Sequence, residues 1–237
     1  MSDLAHRLRT IRVFAGNLPE FDSEQVPDHP ATLFTTWLTE AIDAGLAEPH
    51  VTVLSTVDGA GHPDARALIL KDVDEDGWWF ASSSTGPKGA QLAGNPWAAL
   101  TWYWPGLGRQ VRMRGEVRRG SQADSAQDFL ARAPGGRAEA LVGRQSQHLA
   151  NRGDLTAAVG KAAAKIDEDP DLVADDWTRY VLRAREVQFF QGDPSRQHIR
   201  VRYQALARQR RGKARSEATH QHPGGEPTTW THHLLWP

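Results

Sequence analysis

Between residues 109 and 119 the chain reads Arg-Gln-Val-Arg-Met-Arg-Gly-Glu-Val-Arg-Arg. A period of two sets Gln110, Arg112 and Arg114 on one side of a strand and Arg109, Val111 and Met113 on the other. An amide flanked by guanidinium groups along one strand face suits the edge of a planar polar ligand. The preceding Trp97-Ala-Ala-Leu-Thr-Trp-Tyr-Trp104, joined through Pro105-Gly-Leu-Gly108, completes a hairpin able to wall a pocket for it. An Arg-rich strand is as much at home on a solvated outer face, so the neighbouring motifs have to decide between the two.

Composition removes several other chemistries. The chain has 237 residues, 28 basic against 29 acidic, 39% hydrophobic and no cysteine, which excludes disulfides, thiolate metal sites and cysteine nucleophiles. Its balanced charge gives no overall pull toward nucleic acid. No run of about 18 apolar residues is present and the start lacks an apolar signal region, so a soluble, cytoplasmic protein that does not enter a membrane is expected. His220, His222, His232 and His233 lack the carboxylates or helical spacing of a metal site, and no metal is expected. Arg208-Gln-Arg-Arg-Gly-Lys-Ala-Arg215, followed by a Gly- and Pro-rich stretch, reads as a solvated basic loop at about 207–227 rather than a nucleic-acid contact.

The elements that must carry these residues follow from period and punctuation. A polar N-terminal arm, 1–30, ends at Asp28-His-Pro30. An amphipathic helix then places Leu33, Trp37, Leu38 and Ile42 at helical spacing. Strands are expected at 51–56, 64–70 and 78–82, a short helix at 86–95, the hairpin above, and helical segments from Ser121 to Ile166 broken at Ala133-Pro-Gly-Gly136. Strands return at 180–191, 198–205 and 229–235. Short turns between strands, with helices gathered around them, indicate one α+β domain over 31–237 built on an antiparallel barrel.

The order of motifs resembles the pyridoxamine 5′-phosphate oxidase family of FMN-binding split barrels. The resemblance rests on Thr32-Leu-Phe-Thr-Thr-Trp-Leu38, Arg66-Ala-Leu-Ile-Leu-Lys71, Trp79-Phe-Ala-Ser82 with Lys88, and the 109–115 strand. It continues through Arg144-Gln-Ser146, Gln188-Phe-Phe-Gln-Gly192, Arg196-Gln-His-Ile-Arg200, and an ending with Trp230 and Leu-Trp-Pro237. It implies an antiparallel split β-barrel with flanking helices, a homodimer with FMN at the subunit interface, and oxidation of a small molecule by hydride transfer to the flavin with return of electrons to O2. It also implies site residues: Arg66 and Lys88 as phosphate cations, Ser82 as a hydroxyl donor, Lys71 near flavin and substrate, and Gln110 at the flavin edge. Gln145 and Ser146 are expected from the partner subunit on a helical segment. Phe190 and Arg200 complete the cofactor set, and Arg196 and His198 are the catalytic pair.

The chain departs from the family pattern where substrate choice is made. Gly86-Pro-Lys88 stands in place of Ser-Arg-Lys, and Ile199 replaces an acidic residue. In the constellation that grips a vitamin B6 phosphate, Lys71 and Arg132 match, whereas Asp128 replaces a tyrosine and Gly136 a serine. A carboxylate against a substrate dianion is repulsive; alternatively Asp128 points to solvent and Arg132 alone holds a phosphate. Flavin oxidases of phenazine biosynthesis resemble the chain in losing the same Tyr and Ser. The expectation is an FMN-dependent oxidase of a reduced aromatic or alicyclic intermediate in a phenazine-type natural-product pathway. The alternatives are a pyridoxine/pyridoxamine 5′-phosphate oxidase making pyridoxal 5′-phosphate, or a non-catalytic flavin- or haem-binding split barrel.

Overall fold

A computed structural model describes residues 2–206 and 229–237. The basic loop expected at about 207–227, with His220 and His222, lies outside the described residues. Eight antiparallel strands run β1 (Val51–Val57), β2 (Pro63–Val73), β3 (Trp78–Ser83), β4 (Trp97–Trp104), β5 (Arg109–Arg119), β6 (Trp177–Gln191), β7 (Ile199–Ala205) and β8 (Trp230–Leu234). Their order in the sheet is β3-β2-β1-β4-β5-β6-β7-β8, and β3 pairs again with β6, closing six strands into a barrel.

The split comes from β6, whose fifteen residues serve two neighbours. Its first part pairs with β3, from Ser83 opposite Trp177 to Trp78 opposite Leu182, and its second part leaves the barrel to pair with β7 from Glu186 to Gln191. The β5–β6 register shifts between Arg114 and Gly115 where β6 changes partner. Gly115 permits that crossing, because a Cβ there would lie 2.0 Å from the Arg183 carbonyl oxygen.

The barrel is plugged by α2 (Pro30–Asp43). His29 caps this helix, its Nδ1 accepting the Ala31 N–H at 3.2 Å, and Pro30 opens the first turn where a missing N–H costs nothing. The buried face is Leu33, Phe34, Trp37 and Ala41. Ile42, placed on that face by the sequence pattern, is instead 55% exposed: the stripe turns toward Phe34 and the small Ala41, which carry the i, i+3, i+7 contacts. Phe34 meets Trp102 edge-on at 4.7 Å, and Trp37 meets Phe189 at 5.2 Å. Arg109, on the inner row of β5, lies over Trp37 at 4.3 Å and bonds Glu40 and Gln191. Buried aromatics of this size contribute about 1.5–3 kcal/mol each over exposure.

Three helices lie outside: α4 (Gln122–Leu130), α5 (Pro134–Val142) and α6 (Arg152–Glu168), with α3 (Pro87–Gly94) leading into β4. The arm contains a helix that the sequence pattern did not indicate, α1 (Asp3–Thr10), capped by Ser2. Among the described residues, no helix is long and apolar enough to cross a membrane, and no group of three His, Asp or Glu could hold a metal ion.

Candidate active site

A pocket of about 480 Å³ opens between β2, the end of β3, the start of α3 and the turn after α5, within the ~300–1,000 Å³ of small-ligand sites. Arg66, Ser82, Lys88, Arg132, Gln145 and Ser146 all line it. Gln145 and Ser146, expected on a helical segment, sit instead in the turn between α5 and α6, where they line the pocket of their own chain. There Ser146 takes the left-handed backbone, φ 64°.

Lys88 projects from the first turn of α3 into this pocket. Its ammonium donates to Ser82 Oγ at 2.9 Å and to Gln145 Oε1 at 2.5 Å. Burial and, secondly, the charge of Arg66 hold Lys88 below the usual lysine value, against weaker opposing pulls from Glu139 and Asp64. Two cations thus converge on a half-buried space, an arrangement that an anion relieves.

Arg66 is fixed by a network that sequence reasoning missed. Its Nη1 donates to Thr56 Oγ1 at 2.5 Å and to the Leu54 carbonyl at 3.4 Å, and its Nη2 bonds Asp64 and Gln91 Oε1, the latter at 3.1 Å. Gln91 also accepts from Thr56 Oγ1 at 2.5 Å and donates to Asp64 Oδ2 at 3.1 Å. The Asp64 carboxyl is held below the usual range chiefly by the Gln91 amide, against an opposing effect of burial, with the charge and hydrogen bond of Arg66 adding to the lowering. The signal was present in the sequence: Asp64 and Arg66 are two apart on one strand and share a face.

The substituted substrate constellation adjoins the same pocket. A bulge between Leu70 and Asp72 breaks the alternation of β2, and the Lys71 ammonium lies 3.3 Å from Asp128 Oδ1. Asp128 Oδ2 accepts the Trp177 indole N–H at 2.9 Å. Asp128 is therefore paired and largely withdrawn from solvent, which corrects the alternative in which it points to solvent. Arg132 stacks 4.1 Å over Trp177 and donates to the Gly136 carbonyl at 2.9 Å, with Glu139 at 3.9 Å. Trp177 opens β6, three residues before the strand that the sequence pattern indicates.

The remaining expected residues form a second cluster. None of Gln110, Phe190, Arg196, His198 or Arg200 is among the described residues lining the Arg66 pocket. Gln110 lies opposite Phe190, and Phe190 opposite Arg200, across β5, β6 and β7. Arg200 donates to Gln188 Oε1 at 3.1 Å, and His198 Nδ1 accepts the Asp193 N–H at 3.0 Å. Phe14 of the N-terminal arm packs 5.1 Å from His198 and 6.0 Å from Phe190. Arg196 lines a hollow of about 520 Å³ beside residues 11–16 of the arm. Phe14 and Arg196 both take positive φ, 54° and 68°, conformations that cost of order 1–3 kcal/mol and tend to gather at functional sites.

Comparison with known proteins places this geometry. Residues 38–163 match the family described as pyridoxamine 5′-phosphate oxidase, and residues 177–237 match the pyridoxine 5′-phosphate oxidase C-terminal dimerisation region. A pyridoxine/pyridoxamine 5′-phosphate oxidase of Polynucleobacter asymbioticus is 38% identical over 184 residues, 78% of this chain and 87% of that one. Its counterpart in Pseudomonas paraeruginosa is 36% identical over 179 residues, covering 75% and 83%. In fold the chain is similar to PhzG from Burkholderia lata, solved with tetrahydrophenazine-1-carboxylic acid, at a TM-score of 0.79 and 22% identity over 94% of this chain and all of that one. An FMN-binding, pyridoxamine 5′-phosphate oxidase-related protein of Nostoc punctiforme superposes with a TM-score of 0.63 at 18% identity, covering 88% and 98%. With a family match over more than half of its length and relatives of this identity, the chain belongs to the pyridoxamine 5′-phosphate oxidase family.

Proposed function

We propose that the chain is an FMN-dependent oxidase whose substrate carries no phosphate: a reduced aromatic or alicyclic compound of the kind oxidised in phenazine-type pathways. The cofactor is FMN, and the donor set fits it. Arg66 and Lys88 converge with Ser82 on a pocket of about 480 Å³, and Lys88 carries a charge that its surroundings disfavour until an anion arrives. The observation that carries the substrate reading is the pairing of Asp128 with Lys71 and Trp177, which engages one cation of the phosphate-gripping set. Arg132, the other, is engaged by the Gly136 carbonyl.

The family match over 177–237 is to a dimerisation region, and a homodimer supplies what one chain lacks. In this reading the Arg66 pocket of one protomer is completed by the Gln110, Phe190 and His198 cluster of its partner, so that a two-fold axis would give two identical composite sites. Bound FMN supplies the hydride acceptor, with O2 as the final acceptor. Arg196 orients an anionic or carbonyl edge of the substrate. His198 accepts at Nδ1, so the neutral ring carries its proton on Nε2 and presents it as a hydrogen-bond donor. Phe14 packs edge-on against His198 and limits the directions its ring can face. Gln110 offers its amide to the ring edge from the polar row of β5.

A second reading, oxidation of pyridoxine 5′-phosphate, is favoured by relatives of that name at 38% identity and by Arg132, which still lines the pocket. Steady-state turnover of the FMN-loaded protein separates the two. Efficient formation of pyridoxal 5′-phosphate supports the second reading; oxidation of tetrahydrophenazine-1-carboxylic acid with poor pyridoxal phosphate formation supports the first.

A further inference from the structure

We infer that Asp64 is a built-in counter-anion for Arg66 that the cofactor phosphate must displace, so that this chain favours FMN over the unphosphorylated flavin less strongly than its cations alone allow. The inference rests on FMN as the cofactor and concerns how the chain's own residues meet it. All four terminal N–H groups of Arg66 are committed, to Leu54, Thr56, Asp64 and Gln91. A phosphate can receive two parallel N–H bonds from this guanidinium only if a resident acceptor gives way. Thr56 is buried at 1% exposure and Leu54 offers a backbone carbonyl inside the barrel wall, so neither can leave. Asp64 can: its side chain is 50% exposed, and water can solvate the carboxylate once the pair opens.

The charges of the pocket agree. Among its described lining residues, Arg66 is paired with Asp64, and Arg132 has Glu139 at 3.9 Å, which leaves Lys88 as the cation with no carboxylate at ion-pair distance. Pro87, beside Lys88, brings neither a charge nor an N–H to the first turn of α3. An incoming dianion thus meets one uncommitted cation and one that already has an anion. If Asp64 stays, it repels the dianion; if it yields, its ion pair and the Gln91 bridge are lost. Riboflavin, without a phosphate, meets neither cost.

The test is a fluorescence titration of FMN and of riboflavin into the flavin-free full-length protein, using wild type, Asp64→Asn and Asp64→Ser. Asparagine keeps the acceptor for Gln91 and removes the charge, and serine gives an independent removal should the amide reorganise the network. Both variants are expected to bind FMN about tenfold more tightly than wild type, with riboflavin affinity unchanged within about twofold. FMN affinity that is unchanged or weaker in both variants overturns the inference, as does equal tightening of FMN and riboflavin. If none of the three proteins binds FMN, the cofactor assignment itself fails and this inference with it, whereas FMN binding with no response at Asp64 removes the inference alone.

Discussion

The Asp128 carboxylate stands 3.3 Å from the Lys71 ammonium, and both side chains are largely withdrawn from solvent, at 13% and 27% exposure. The pair joins α4 to the bulge of β2, and in the proposed site it occupies a cation that a phosphate-bearing substrate would need free. Removing the carboxylate and restoring the missing hydroxyl should reopen that place. Asp128→Tyr with Gly136→Ser is expected to raise kcat/KM for pyridoxine 5′-phosphate on the order of tenfold or more, beyond the product of the single effects, because both groups serve one anion. A Cβ at position 136 meets Arg132 Nη2 at 3.2 Å, and that flexible end can shift to accept it. Pyridoxal phosphate formation by the four proteins of the cycle measures this, and a double variant no better than wild type counts against it.

Lys88 makes FMN affinity depend on pH. Its ammonium is held below the usual lysine value by burial and by Arg66, and a phosphate favours the protonated form. Binding therefore takes up a proton once the pH exceeds the free protein's Lys88 value, and affinity falls as pH rises through that window, earlier than an ordinary lysine would give. Lys88→Met should weaken FMN and flatten the alkaline limb. An unchanged alkaline limb in that variant would show that another group is responsible.

The composite site predicts complementation. In the proposed site, Arg66→Ala homodimers would lack a phosphate cation in both sites, and Arg196→Ala homodimers would lack the substrate cation in both. If each site takes Arg66 from one protomer and Arg196 from the other, mixed dimers carry one intact site, and random exchange restores about a quarter of wild-type turnover. Arg196→Ala alone should retain the bound-flavin spectrum while losing kcat/KM. Two inactive variants that remain inactive after verified subunit exchange would place both arginines in the same protomer's site.

Acid should weaken the helix that plugs the barrel. His29 caps α2 through an unprotonated Nδ1, and burial lowers its pKa from 6.5, against a smaller opposing pull from Glu75. The unfolded chain binds the proton first, so this part of the stability is whole above the ordinary histidine value and is lost as pH falls through the lowered one. His29→Asn keeps a capping acceptor without a titrating group, and its thermal midpoint should fall less than wild type's between about pH 7.5 and about pH 5. Parallel acid profiles for the two proteins would contradict the role of the cap.

Much of this was legible in the sequence, and the exceptions have physical causes. The alternation in β5 gave the row of Gln110, Arg112 and Arg114 correctly, with Val111 and Met113 inside, because the strand has one wet and one buried face. The stripe of α2 was misjudged at Ile42, since Ala41 packs without carrying hydrophobic weight in a pattern. Asp128 could be assigned a place in the substrate constellation but not a partner: its bonds to Lys71 and Trp177 join segments far apart in the chain. Gln145 and Ser146 were expected on a helix but lie in a turn, whose left-handed Ser146 backbone no periodicity announces, and α1 is short, with no buried residue to mark it.

Anaerobic mixing of the FMN-loaded protein with each candidate reductant tests the central claim most directly, because it reads hydride transfer without depending on the final acceptor. Bleaching of the flavin within a turnover time by tetrahydrophenazine-1-carboxylic acid or a similar reduced ring, with reduction by pyridoxine 5′-phosphate slower by on the order of a hundredfold, is the predicted result. Rapid, saturable bleaching by pyridoxine 5′-phosphate with no reaction of the reduced ring compounds would contradict it.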